Sequence, residues 1–355
     1  MIARFSLLII SVFVSCSFLY AQKYSNEFLQ LGIGGKALSM GNAVVASVSD
    51  VHAGYWNPSS LVELQQNANI GVMHASYFGG LAKYDYGSFA IRNSDSSAFG
   101  ISIIRFGVDD IPNTLDLVDA NGNFDYSKLS SFSIADYAAL LSYARKLKQI
   151  PSLNVGGNVK IIRRIVGDFA SAWGFGFDLS ANYSLNNWRF GAVLRDATST
   201  FNAWRYNTET FEDAFIKTGN EIPTNGLEIT IPRLLLGASK TFTFKEKYSL
   251  LAELDADFTF DKKRNTLVKS SFASIDPHLG IELSYMKMIF LRAGVYNIQQ
   301  ISDFAGNKSY NLQPSIGVGV FYKNFGFDYA FTDIGNASAA LYSHVIGLKY
   351  CFDRK

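Results

Sequence analysis

Residues 172–184 read Ala-Trp-Gly-Phe-Gly-Phe-Asp-Leu-Ser-Ala-Asn-Tyr-Ser. Trp173, Phe175, Phe177, Leu179, Ala181 and Tyr183 occupy one set of alternate positions. Gly174, Gly176, Asp178, Ser180 and Asn182 occupy the other. Side chains alternate across a strand, so this stretch has one large apolar face and one small or polar face. A helix repeats every 3.6 residues and cannot produce that division.

Working outward, the pattern recurs. Leu250, Ala252, Leu254, Ala256 and Phe258 alternate with Glu253, Asp255 and Asp257. Leu279, Ile281, Leu283 and Tyr285 oppose Gly280, Glu282 and Ser284, and Phe325, Phe327, Tyr329 and Phe331 oppose Gly326, Asp328 and Ala330. Strands are expected near 68–78, 83–92, 98–106, 133–146, 153–166, 172–184, 188–196, 232–242, 248–259, 276–285, 289–298, 312–322, 325–332 and 342–352. Weak alternation repeated over segments of about ten residues is the mark of a membrane barrel. Fourteen is even, as bacterial single-chain barrels require. Connections alternate between short ones, such as 185–187 and 323–324, and long ones, such as 107–132 and 197–231; 79–82 and 167–171 break the rule by being short. Aromatic residues at strand ends suit membrane interfaces. The alternative is a soluble sandwich that turns the same apolar face inward. The reading adopted is all-β: a fourteen-stranded antiparallel transmembrane β-barrel with an N-terminal lumenal plug.

Composition agrees. The 355 residues are 48% hydrophobic, 15% aromatic and 17% charged, with 29 Gly, 29 Phe and 19 Tyr. A mean hydropathy of +0.08 excludes a bundle of membrane helices. Net charge is +2 and no basic, aromatic-laced patch appears, so nucleic acid is not an expected partner. His52, His74, His278 and His344 lack zinc-site spacing, and the two cysteines form no CxxC pattern. Gly32-Ile33-Gly34-Gly35 follows no strand and carries no weight as a phosphate loop. No catalytic motif marks a residue out. The expectation is a non-enzyme without cofactor, metal or catalytic residues.

Residues 1–21 read as an export signal: Arg4, the apolar run Phe5–Val14, and Leu19-Tyr20-Ala21 before Gln22. A lipoprotein signal at Val14-Ser15-Cys16 is the alternative. Without residues 1–21, Cys351 has no disulfide partner. Residues 68–355 then form the barrel. An even strand count puts both barrel ends on one side, so residues 22–67 can fold up into a lumen too wide for wall side chains to fill. The chain closes with Ile346-x-Leu348-x-Tyr350-x-Phe352, which resembles the sorting signal of outer-membrane barrels.

The N-terminal segment reads Phe28-Leu29-Gln30-Leu31-Gly32-Ile33-Gly34-Gly35-Lys36-Ala37-Leu38-Ser39-Met40-Gly41-Asn42-Ala43-Val44-Val45-Ala46, then Asp50 and Trp56-Asn57-Pro58-Ser59-Ser60-Leu61. It resembles the PorV/PorQ family of Bacteroidota outer-membrane proteins, which is similar in fold to the FadL transporters. Lys36 stands where that family has Arg, Ser39 where Gly is common, and Ser59 where Ala is usual. The resemblance implies an outer-membrane location in a Gram-negative, Bacteroidota-like bacterium. It also implies a role in type IX secretion, with the translocon and cargo signal domains as partners beside the membrane lipids. Gly34, Gly35, Met40, Gly41, Asp50, Trp56, Asn57 and Pro58 form the plug motif. Glycines there permit close approach and positive φ, and Pro58 holds Asn57 extended, from where its side chain can bond local backbone.

The wall should turn Lys160, Arg164, Asp178, Arg189, Arg195, Glu253, Asp255, Asp257, Glu282, Arg292, Asp328 and Lys349 inward, paired with one another or holding the plug. In the longest loop, Phe201, Trp204, Tyr206, Phe211 and Phe215 form either a partner-binding surface or a lid packed on itself. Two functions follow. The first is a secretion component binding or shuttling exported cargo, favoured by a lumen face that reads as small and charged. The second is a FadL-like transporter of a hydrophobic small molecule, for which Val44, Val45, Val48 and Leu61 offer apolar lining.

Overall fold

The computed structural model describes residues 25–118, 122–302, 308–334 and 342–352. The expected export signal with Cys16 lies outside them, as does the tail 353–355.

Alternation dictates the elements. The strands are β1 (Ala68–Tyr77), β2 (Ala82–Ser94), β3 (Ser97–Asn113), β4 (Ser130–Lys146), β5 (Leu153–Val166), β6 (Ala170–Leu185), β7 (Trp188–Arg195), β8 (Thr200–Tyr206), β9 (Gly226–Thr230) and β10 (Arg233–Phe244). They continue as β11 (Tyr248–Thr259), β12 (Val268–Lys269), β13 (Ser274–Tyr285), β14 (Ile289–Ser302), β15 (Lys308–Tyr322), β16 (Phe325–Thr332) and β17 (Ser343–Phe352). Neighbours pair antiparallel, and Ala68 of β1 lies opposite both Ile91 of β2 and Phe352 of β17, so the sheet closes on itself. Of the seventeen segments, β8 prolongs β7, β9 prolongs β10, and β12 is a two-residue piece of a loop; fourteen barrel strands remain. A closed antiparallel barrel satisfies every wall amide within the wall, as a membrane demands.

All fourteen expected strands are present. The region 197–231, read as a loop, is different. β6 pairs with β7 over Leu179–Leu185 and with β8 over Ala170–Phe175. Between these runs Asp196 and Ser199 take positive φ, 54° and 61°. This bulge and Pro232, which has no N–H to give, interrupt one long hairpin whose tip carries the helix Glu212–Thr218.

The outer face is largely apolar, with His74, Lys83, Asp85 and Arg105 among its charged or polar residues. Ile70, Val72, Ile103, Leu254, Ile281 and Ile316 are among its exposed residues. Water would penalise such a band, and lipid would not. No described helix is long and apolar enough to cross a membrane.

The inner face divides into two halves. From β1 to β5 it is mixed: Met73, Tyr84, Tyr86, Ile104, Leu140 and Ile162 are buried against Phe28, Leu29, Tyr55, Leu61 and other N-terminal residues in one core, and Ser102, Asp136, Ser142, Asn158 and Lys160 are buried on the same strands. From β7 through β15 it is polar, with buried Glu253, Asp255, Glu282, Arg292 and Ser315. The expected small and charged residues face the lumen, Lys160 and Arg164 of β5 among them, and in the first half they share it with a large apolar core. Alternation shows which residues point inward but not what chain they meet there.

Candidate functional site

Residues 25–64 lie inside the ring of strands. Their secondary structure is sparse: a 3₁₀ turn Glu27–Gln30, short helices Gly35–Ser39 and Ala53–Trp56, and a 3₁₀ run Pro58–Glu63. An irregular buried chain must find partners for its backbone outside itself. Val45–Ser47 shows how. The Val45 N–H donates to the Asp255 carboxylate (2.9 Å), and the Ala46 and Ser47 N–H groups donate to Glu253 (2.7 and 3.2 Å). Their carbonyls accept from Asn57 (2.8 Å), Asn182 (3.0 Å) and Arg189 (3.2 Å).

Glycines on the inner wall let this backbone come close. A Cβ on Gly280 or Gly294 would collide with Met40, one on Gly317 with Ser39, and one on Gly191 with the Val45 carbonyl. A Cβ on Gly156 would meet Ser59 and Pro58. The small residues that read as one featureless face in sequence thus form a seating belt.

The motif residues are spread around this belt rather than gathered at one point. The Gly34 N–H points at the Met73 sulfur (3.0 Å). Gly35 lies against Asp328, where a Cβ would be 2.8 Å from that residue's own. Met40 is fully buried against β13 and β14. Gly41 has φ +61°, donates to Ser315 (3.0 Å) and accepts from His278 (2.9 Å). Trp56 is buried and donates its indole N–H to the Ile33 carbonyl (2.9 Å). Asn57 is extended (φ −154°) before Pro58. Its amide bonds Val45 and also the Ala181 carbonyl (3.3 Å), while its oxygen accepts from Ser59 (2.6 Å). Asn57 therefore ties two distant stretches to the wall instead of closing a local turn.

Asp50 accepts from Lys349 (3.1 Å) and sits 3.1 Å from the His52 ring nitrogen. Burial pushes its carboxyl up, but the charges of His52 and Lys349 outweigh this and hold it well below the usual carboxylate range. Lys349 also reaches Asp328 (3.4 Å), which pairs with Arg292 (2.5 Å), which pairs with Glu282 (2.6 Å). Elsewhere Lys160 bridges Asp178 (2.8 Å) and Asp196, Arg164 joins Asp136 (2.9 Å) and Glu228 (3.2 Å), Arg189 pairs with Glu63, and Arg233 pairs with Asp257 (2.9 Å). Each residue expected to face the lumen is buried or half-buried there.

The five loop aromatics do not share a surface. Phe201 is exposed on the outer wall. Trp204 lies under the Arg164 guanidinium (5.0 Å) and donates to Glu228 (2.7 Å), with Tyr206 stacked beside it at 6.2 Å. Phe211 is buried between Phe215 (4.9 Å) and Phe169 (6.4 Å).

Among the described residues, two cavities of several hundred Å³ remain in the lumen. One of about 400 Å³ opens toward the tight-turn end, past Ser249, Ser284, Lys287 and Phe290. The other, about 380 Å³, lies toward the long-loop end, among Tyr77, Phe78, Arg233, Asp276 and Tyr296. Neither touches β2–β5. Between them runs the N-terminal chain: Lys36, Ala37 and Val44 line the first, Leu38, Asn42 and Val45 the second, and Trp56 both. Of the four residues expected as apolar lining, Val44 and Val48 line the first cavity and Val45 the second, while Leu61 lines neither. Sequence reading found the inward charges but not which of them face empty space. No metal-binding cluster occurs among the described residues.

No family model and no curated protein sequence matches the chain. Solved structures do. It is similar to the CymD monoaromatic hydrocarbon channel, with 13% identity, a TM-score of 0.57 and coverage of 91% of this chain and 98% of that one. The P. putida toluene transporter TodX gives 13%, 0.56, 91% and 99%. The Ralstonia pickettii toluene transporter TbuX gives 15%, 0.54, 90% and 98%. At such identities the likeness is one of fold, and the fold is the fourteen-strand barrel of the FadL-like outer-membrane proteins.

Proposed function

We propose that this protein is an outer-membrane channel for small hydrophobic molecules, with residues 25–64 as its plug. The observation that carries the reading is the pair of cavities on one half of the wall, with the chain from Lys36 to Val45 and the Trp56 side chain between them. A molecule entering from the loop end occupies the outer cavity. Displacement of the divider opens the inner cavity, and with it the other side of the membrane. Pockets of this size suit a ligand of one or two rings. The names of the fold neighbours, a hydrocarbon channel and toluene transporters, support the same substrate class. The test is uptake of labelled toluene by cells expressing the full chain. Uptake above that of cells lacking it is expected, and equal uptake would remove the proposal.

The secretion reading rests on the N-terminal motif. The fold neighbours add nothing to it, and the loop aromatics offered as its partner surface are spread over the outer wall (Phe201), the Arg164–Glu228 pair (Trp204, Tyr206) and a self-packed tip (Phe211, Phe215). Affinity capture of the tagged protein from its native membrane separates the two. Co-purified translocon or cargo signal domains would favour secretion; bound hydrophobic molecules alone would favour transport.

A further inference from the structure

The outer wall is not an even apolar surface. A groove of about 680 Å³ crosses β10, β11, β13, β14 and β15. Register builds it. Lys240, Ala252, Ile281, Ala293 and Ile316 stand opposite one another on these successive strands. All five point outward, because their neighbours Ser239, Glu253, Glu282, Arg292 and Ser315 are buried on the inner face. The next outward row toward the tight turns is Phe242, Leu250, Leu283, Leu291 and Val318, large throughout. Ala252 and Ala293, with Ala238 and Pro314 just above them, leave the wall low beside that ridge.

The groove starts at the tight-turn rim and climbs. Lys240 lies opposite Trp188, the first residue of β7, beside the turn that follows β6. Ile316, at the far end, lies well inside β15, whose tight-turn end is Tyr322. Four steps between strands, at about 4.8 Å each, make a path of about 19 Å. With strands tilted by about 40°, this path rises about 12 Å, within the roughly 15 Å of one leaflet.

At the rim end stands the one cation of the lining, among the described residues. The Lys240 ammonium lies over the Trp188 and Phe242 rings (4.7 and 5.0 Å). Glu253, the one carboxylate in that lining, turns inward to Ala46 and Ser47. A lysine on a lipid-facing wall carries its head toward the anionic interface, where phosphate meets it.

We infer that this groove holds one phospholipid of the leaflet at the tight-turn end, its phosphate on Lys240 and one acyl chain along Ala252 and Ala293. The charge at the rim and the ascent through a single leaflet select a lipid over a second copy of this chain, whose apolar wall would bring no anion to Lys240. The site lies on the outside of the barrel and is independent of what the lumen carries.

The test is native mass spectrometry of the full-length protein, stripped of lipid in detergent and titrated with phosphatidylglycerol or with diacylglycerol of the same chains. Phosphatidylglycerol should be retained about fivefold more tightly, the worth of one lysine beside an anionic headgroup. Lys240→Gln should remove that preference, and Lys240→Arg should keep it. Ala293→Phe should weaken retention of both lipids. Ala139→Phe, equally outward on β4 beside the exposed Ile103, should change neither. Equal retention of the two lipids by the unaltered protein would overturn the inference. So would retention of neither, a dimer without bound lipid, or equal effects of Ala293→Phe and Ala139→Phe.

Discussion

The wall from β1 to β5 and the wall from β7 to β15 share a largely apolar outer face and differ in how they are filled within. The first meets the N-terminal segment mainly with Tyr84, Ile104, Leu140 and Ile162, joined by bonds such as Asn158 to the Gly54 carbonyl, and leaves no large cavity. The second meets it with carboxylates, amides and glycines that bond its backbone, and both cavities lie there. Apolar burial is non-directional and cumulative, so it fixes a segment firmly. Side-chain bonds to backbone are few and individually replaceable by water, so the segment can part from that side at modest cost. On the proposed channel reading, the first is the hinge half and the second the opening half.

The largest test of that contrast is Tyr84→Ala. It empties a fully buried site and leaves the Phe28 carbonyl without its 2.9 Å donor. A loss of about 3–5 kcal/mol is expected, by analogy with other aromatic truncations in cores, measured by denaturant unfolding from lipid. Comparable losses on the opening half would erase the contrast. Gly41→Val should come next. It forces a β-branched residue to φ +61° and drives Cβ to 2.7 Å from the Val295 nitrogen. The divider must lift, so single-channel conductance should rise while the barrel persists, at a stability cost of about 1–3 kcal/mol.

Smaller again is Glu253→Gln, which weakens two charge-assisted bonds to Ala46 and Ser47. Amide exchange at 45–47 should quicken, for a change of about 1–2 kcal/mol, with Phe28 and Leu29 unaffected. Acid should act in the same direction. Asp50 is held below its ordinary value in the native state, so its contribution is present above the unfolded value, about pH 4. It fades as pH falls through the lower native value, freeing Lys349 from Asp50. Asp50→Asn should flatten that part of the acid dependence of amide exchange. Smallest of all, Phe201→Ala on the outer wall should shift stability by no more than about 0.5 kcal/mol.

The barrel was legible because period-two alternation survives in many strands, from Trp173–Tyr183 to Ile346–Phe352. The hairpin 200–230 was hidden because Asp196–Ser199 and Pro232 break the alternation where β7 turns into β8 and β9 into β10. Lys160, Glu253 and Arg292 could be placed inward by parity alone. Their partners could not, since those lie on strands or segments up to some two hundred residues away, as Glu253 and Ala46 do. The same limit hid the hinge half. Tyr84 and Ile104 alternate with Asp85 and Arg105, so both parities there carry large residues and the outward one is not marked.

The central claim is that passage requires the divider to leave the opening half. Ser39 and Ser315 meet there, the Ser315 hydroxyl donating to the Ser39 carbonyl at 3.1 Å. The double variant Ser39→Cys, Ser315→Cys should form a disulfide that pins the divider to β15. Toluene uptake should stop when the bond is oxidised and return on reduction. Undiminished uptake with the disulfide fully formed would contradict the account.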